Sequence, residues 1–168
     1  MFEALPTAWL APILLSLAAI ATVAAMSRTL PLQNVIMAAL TVAVVSIAIS
    51  IVSVEIGLSP LGYLPDFGFR LFRLVPWTSP LLSVVIILNS RNLARLILRP
   101  WRNRPNPGIR AILLASLLAS ALDFLLETFA TQTVPLWSWQ TPFVSFITAM
   151  LALVLAAPWL INKKLAIR

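Results

Sequence analysis

Apolar residues come in long blocks rather than in alternation with polar ones: residues 8–26, 35–54, 80–99, 111–130 and 142–161 each form a run with few or no charges. A run of about 20 residues at roughly 1.5 Å rise spans a hydrocarbon core of about 30 Å. The pattern therefore predicts an all-α, polytopic transmembrane helix bundle of about five spans, a single integral membrane domain over 1–168. Polar or proline-containing breaks separate the runs. Arg28, Pro31 and Gln33 mark a short turn, and PWRNRPNPG (Pro100 to Gly108) a longer hydrophilic one. A cleaved secretory signal is the competing reading of the first run. Such a signal wants a basic start and a shorter apolar core, whereas this run is preceded by Glu3 and no Lys or Arg, so a retained span is expected.

The stretch 56–80 breaks the pattern. It holds Gly57, Gly62 and Gly68, three of the chain's four glycines, with Pro60, Pro65, Pro76 and Pro80, a density that interrupts helices. Leu61, Tyr63, Phe67, Phe69 and Phe72 make it too apolar for a free linker. It is expected to be irregular and to fold back onto the bundle or dip into the bilayer edge, where protein or cavity water satisfies its backbone.

Composition strengthens the membrane reading, with 61% of the residues hydrophobic and only 10% charged. The net charge of +7 is better explained by topology than by nucleic acid, because the basic residues flank apolar runs without an aromatic platform. Ten of the twelve Lys and Arg fall on one side if the Pro100–Gly108 turn is cytoplasmic, leaving only Arg70 and Arg73 opposite. That predicts N-terminus out and C-terminus in. Glu3, Glu55, Asp66, Asp123 and Glu127 then all lie in the outer half. Arg91, Arg95 and Arg99 form an i, i+4, i+8 stripe, read first as side chains reaching the headgroups and second as an anionic lipid or diphosphate site. The six tryptophans lie near span ends, as interfacial anchors do.

Cysteine and histidine are both absent, which removes disulfides, thiolate and imidazole metal or haem ligation, and every Cys or His nucleophile or base. No metal or cofactor is expected. Proton chemistry falls to five carboxyls, one tyrosine and water. Asp123 and Glu127 stand out because they interrupt an otherwise uncharged run, and a carboxylate in hydrocarbon costs roughly 2.5–3.5 kcal/mol or more. Four residues apart, they share one helix face. Close carboxyls in a low-dielectric setting do not both ionise easily, so the pair is a candidate Brønsted acid. Glu55 joins them if the second and fourth spans are neighbours. The competing reading is that both acids pair with Arg70 and Arg73. Ser116 and Ser120, on the same run, are read as packing residues. Nucleotide-loop, hydrolase-elbow and zinc-helix motifs are all missing, and DFLLE is no prenyl-transferase aspartate motif.

Four segments carry a resemblance: VEIG (Val54 to Gly57) with PLGY (Pro60 to Tyr63), VPW (Val75 to Trp77), ALDFLLET (Ala121 to Thr128) and WSW (Trp137 to Trp139). In this order, over roughly residues 50–160, the chain resembles the membrane carotenoid biosynthesis proteins typified by the CruF carotenoid hydratases. It departs from them in having Glu127–Thr128 where an aspartate followed by proline is common, in TPFVSFITAM (Thr141 to Met150) after W-x-W, and in its smaller number of spans. The resemblance implies acid-catalysed hydration of an acyclic carotenoid end group. Asp123 or Glu127 would be the acid and Glu55 a partner or water-positioning base, with Tyr63, Trp77, Trp137 and Trp139 against the substrate. A carotenoid end-group cyclase, or a non-catalytic pigment- or lipid-binding subunit of a larger complex, stay open as alternatives. Expected partners are the bilayer, an acyclic carotenoid or other polyisoprenoid, and other membrane proteins, but not nucleic acid. The expected location is the plasma membrane or another energy-transducing membrane of a prokaryote.

Overall fold

The computed structural model describes residues 7–57, 70–71, 75–101, 107–133 and 142–161. Five α-helices dominate: α1 (Thr7–Ser27), α2 (Leu32–Glu55), α3 (Ser79–Ile97), α4 (Pro107–Thr133) and α5 (Pro142–Ile161). Segments Leu32–Glu55, Ser79–Ile97, Pro107–Leu126 and Phe143–Leu160 are long and apolar enough to cross a membrane. α1, of 21 residues, is long enough by the same rise per residue. The fold is a helical membrane bundle.

Helix ends follow local chemistry. Pro31 opens α2, and the α1–α2 turn closes when the Thr29 and Leu30 amides both donate to the Met26 carbonyl at 3.0 Å. α2 stops where Gly57 adopts φ +70°, a left-handed conformation that suits glycine. The Gly57 amide donates back to the Val54 carbonyl at 3.1 Å. Pro80 sits in the first turn of α3, where its missing N–H costs no helical bond. Within the stretch expected to be irregular, β1 (Arg70–Leu71) and β2 (Val75–Pro76) form a two-residue antiparallel ladder with Arg70 opposite Pro76 and Leu71 opposite Val75.

Helices α2, α3, α4 and α5 pack as a ring in chain order, with α5 closing against α2, while α1 lies outside against α2 and α3. This leaves α2 diagonal to α4, bridged from both sides by α3 and α5. The residues that converge at each end show neighbours to be antiparallel: the C-terminal halves of α2 and α4 meet the N-terminal halves of α3 and α5.

The buried faces of α2, α4 and α5 are rich in small side chains, and α3 fills the core between them with Leu82, Ile86, Ile87 and Leu88. Ala38, Val42, Ser46 and Ser50 of α2, Ala115 and Ala119 of α4, and Ala149, Ala152 and Ala156 of α5 are all buried. Large apolar residues such as Leu40, Val44, Leu113, Leu117, Phe124, Val154 and Leu155 face outward. Lipid tails are as apolar as leucine, so helix association in a bilayer rests on close packing and hydrogen bonds. Small residues at spacings of three or four let the backbones approach. Polar ties then fix the register. Ser46 and Ser83 share a 2.7 Å hydrogen bond between α2 and α3, and Asn89 Nδ2 donates to Thr22 Oγ1 at 3.0 Å between α3 and α1.

Candidate functional site

Along α4 the buried face runs Ala115, Ala119, Asp123, at successive i+4 positions, so the carboxylate continues the stripe that packs against α3 and α5. Asp123 is half-buried and faces the centre of the four-helix ring. There a cavity of about 40 Å³ is lined by Ser46 and Ser50 of α2, Ser79 and Ser83 of α3, Asp123 of α4, and Ser145 and Thr148 of α5, with Ile86, Ile87, Ala119 and Ala149 filling the walls. The Ser145 hydroxyl donates a short hydrogen bond to Asp123 Oδ2. Thr148 turns its hydroxyl back to the Val144 carbonyl at 2.7 Å, offering its oxygen lone pairs to the cavity.

One carboxyl and six hydroxyls at the axis of a membrane bundle form a polar compartment in an oily surrounding. Each hydroxyl both donates and accepts, so the group can solvate either protonation state of the acid. A cavity of about 10–15 Å³ suffices to hold one water, so there is room for water. The same volume is too small for an isoprenoid end group.

The other expected site residues fall in different places. Glu127 lies on α4 one turn beyond Asp123, with its side chain outside the described residues. Glu55 is exposed at the last position of α2, on the same side of the bundle as the cavity but not in its lining. Its helix packs chiefly against α3 and α5, which lie between it and α4. Trp77 is half-buried in the turn two residues before Ser79. Tyr63, Trp137 and Trp139 lie outside the described residues. The competing reading, in which Asp123 and Glu127 pair with Arg70 and Arg73, falls on side chains outside the described residues. Ser116, read as a packing residue, is fully buried and donates to the Ile112 carbonyl at 2.9 Å.

The hydroxyl set is the part the sequence reading overlooked. Its signal was present in outline, since Ser46 and Ser50 occupy successive i+4 positions of an apolar run and Ser79 and Ser83 do the same. Only the convergence of four helices shows that these pairs face one another.

The fold and site define an integral membrane protein of helical-bundle type with a polar interior. The chain belongs to the carotenoid biosynthesis protein family, whose model matches residues 10–155. No curated protein and no solved structure matches it. Its role lies in carotenoid biosynthesis.

Proposed function

We propose that the protein hydrates the terminal double bond of an acyclic carotenoid, with the Asp123 carboxyl as the proton donor. The observation that carries this reading is the company Asp123 keeps, a water-sized cavity walled by six hydroxyls inside a bundle of the carotenoid biosynthesis family. Hydration needs a proton, a cation and a water in one place. The carboxyl O–H transfers its proton to the less substituted carbon of the terminal C=C bond, whose electron pair forms the new C–H bond and leaves a tertiary cation. The resulting carboxylate stabilises that cation across a low-dielectric gap. A cavity water then attacks the cationic carbon, and its excess proton returns to the carboxylate. The net change is addition of one water and regeneration of the acid.

Because the cavity has room for water and not for a polyene, the substrate end group docks at its mouth, with the hydroxyls as the water compartment behind it. Glu127, one turn further along the same helix, is assigned as the second acid of the pair. Glu55, exposed at the end of α2, is assigned as the partner that exchanges protons with water on that side. Trp77, with Tyr63, Trp137 and Trp139, is assigned to the substrate's apolar surface and, through ring faces, to the cation.

End-group cyclisation begins with the same protonation but must shield the cation from water until a second double bond traps it. Six hydroxyls around a water-sized space favour hydration over that outcome. The test is expression in a host that accumulates lycopene, followed by pigment analysis. Hydroxylated product from wild type and none from Asp123→Asn supports the proposal. A ring-closed product, or an unchanged pigment profile with the protein present in the membrane, overturns it.

A further inference from the structure

At the other end of the bundle the arginine stripe does not behave as three side chains reaching for the surface. Arg95 and Arg99 are exposed, but Arg91 is only 7% exposed, folded inward between α3 and α5. Its Nη2 donates to the Leu160 carbonyl in the last turn of α5 at 2.7 Å, a favourable place for a cation. Its Nη1 is buried and has no hydrogen-bond partner among the described residues. A buried guanidinium N–H left unpaired is costly, more so than a neutral donor.

The cleft it faces is large, about 530 Å³, in the range of small-molecule pockets. Arg91, Arg95 and Arg99 wall one side. Pro107 and Gly108 bring the N-terminal turn of α4 to another, where the first amides of a 27-residue helix have no intrahelical acceptors. The remaining wall is apolar, with Leu98, Ile112, Leu153 and Leu160. No Asp or Glu occurs in residues 26–34, 91–101, 107–112 or 153–161, the described segments around the cleft, so they hold no carboxylate side chain to balance the arginines. Cations, helix-start amides and an adjoining apolar wall match an oxyanion carried on a hydrocarbon chain.

We propose that this cleft is a binding site for a phosphate ester on an apolar chain, with the phosphate held by the Arg91, Arg95 and Arg99 guanidinium groups at the start of α4 and the chain laid against the half-buried Leu98 and Ile112. The ligand has two chemical sources, an anionic phospholipid of the adjoining leaflet or a prenyl diphosphate. The site is separate from the Asp123 cavity, and its occupancy is independent of the hydration reading.

Native mass spectrometry of the detergent-solubilised full chain tests the proposal, with phosphatidylglycerol and phosphatidylcholine as probes. Wild type is expected to hold phosphatidylglycerol about tenfold more tightly, since the paired groups are charged. Each arginine near an anionic surface is worth roughly fivefold, so the exposed double variant Arg95→Gln/Arg99→Gln is expected to lose about 25-fold. Arg91→Lys keeps the charge and removes the planar fork, and is expected to weaken binding with helicity unchanged. Arg28→Gln removes one exposed charge outside the cleft lining and is expected to leave binding within about twofold of wild type. Equal retention of the two lipids, or a loss in Arg28→Gln as large as that in the Arg95/Arg99 variant, overturns the site. Competition separates the sources: displacement of phosphatidylglycerol by equimolar farnesyl diphosphate, but not by inorganic pyrophosphate, assigns the cleft to a prenyl diphosphate. Resistance to both assigns it to the phospholipid.

Discussion

The two ends of this bundle treat polarity in opposite ways. Around Asp123 the polar groups are short, neutral hydroxyls gathered about one carboxyl in a space of about 40 Å³, and the acid already has a protein donor in Ser145. Around Arg91 the polar groups are long cations about a space of about 530 Å³, with one guanidinium nitrogen buried and unpaired among the described residues. A carboxyl satisfied from within, with room only for water, is suited to handling protons. Cations that the surrounding sequence leaves uncompensated are suited to holding something that arrives from outside. The same four-helix ring makes both, because its antiparallel order brings opposite helix halves together at each end.

The sharpest way to break this contrast is Asp123→Asn, which keeps shape and removes the transferable proton. Loss of product formation by roughly 100-fold or more is expected, as for removal of a general acid, with phosphatidylglycerol retention unchanged. If product persists, the carboxyl is not the donor. Ala119→Leu forces three more side-chain carbons into the wall beside it. A cost of about 1–3 kcal/mol is expected in denaturant titration in mixed micelles, together with loss of turnover, and an undiminished rate would show that the small stripe does not shape the site. Ser145→Ala removes the donor to Asp123 while leaving the acid in place. A roughly tenfold lower rate is expected, read from initial rates of pigment conversion, with a stability loss of about 1–3 kcal/mol for the acceptor left without its donor. Thr22→Val, in the lining of neither site, deletes the Asn89 bond that ties α1 to the ring. About 0.6 kcal/mol is expected, the average for such a bond between membrane helices, with no change in product.

Much of this was visible before any coordinates. The apolar blocks, the proline and glycine breaks and the exceptional placement of Asp123 are local features, and local features survive in a linear reading. The extension of α4 to begin at Pro107 and not at 111 reflects proline's fitness for a helix start, which a hydropathy block does not register. The pairing of Asp123 with Ser145, 22 residues away and on another helix, has no local signature. Glu55 was grouped with the acids by its place near a span end, yet that criterion measures depth and says nothing about which helix is adjacent or which way its face is turned. Arg91, Arg95 and Arg99 looked equivalent in a periodic stripe. Burial separates the first from the other two, because α5 covers one position of the stripe and not the rest.

By itself the sequence determined that the chain is a helical membrane protein, which residues break its spans, and that it carries five carboxyl side chains and no Cys or His, since hydropathy and residue inventory are properties of the chain alone. Only the tertiary structure decided which polar groups meet. In a bilayer the packing faces are made of small residues whose hydrophobicity differs little from that of the lipid-facing ones, so the neighbour relations that bring six hydroxyls to Asp123 and turn Arg91 inward are set by close packing among helices, not by a pattern legible along any one of them.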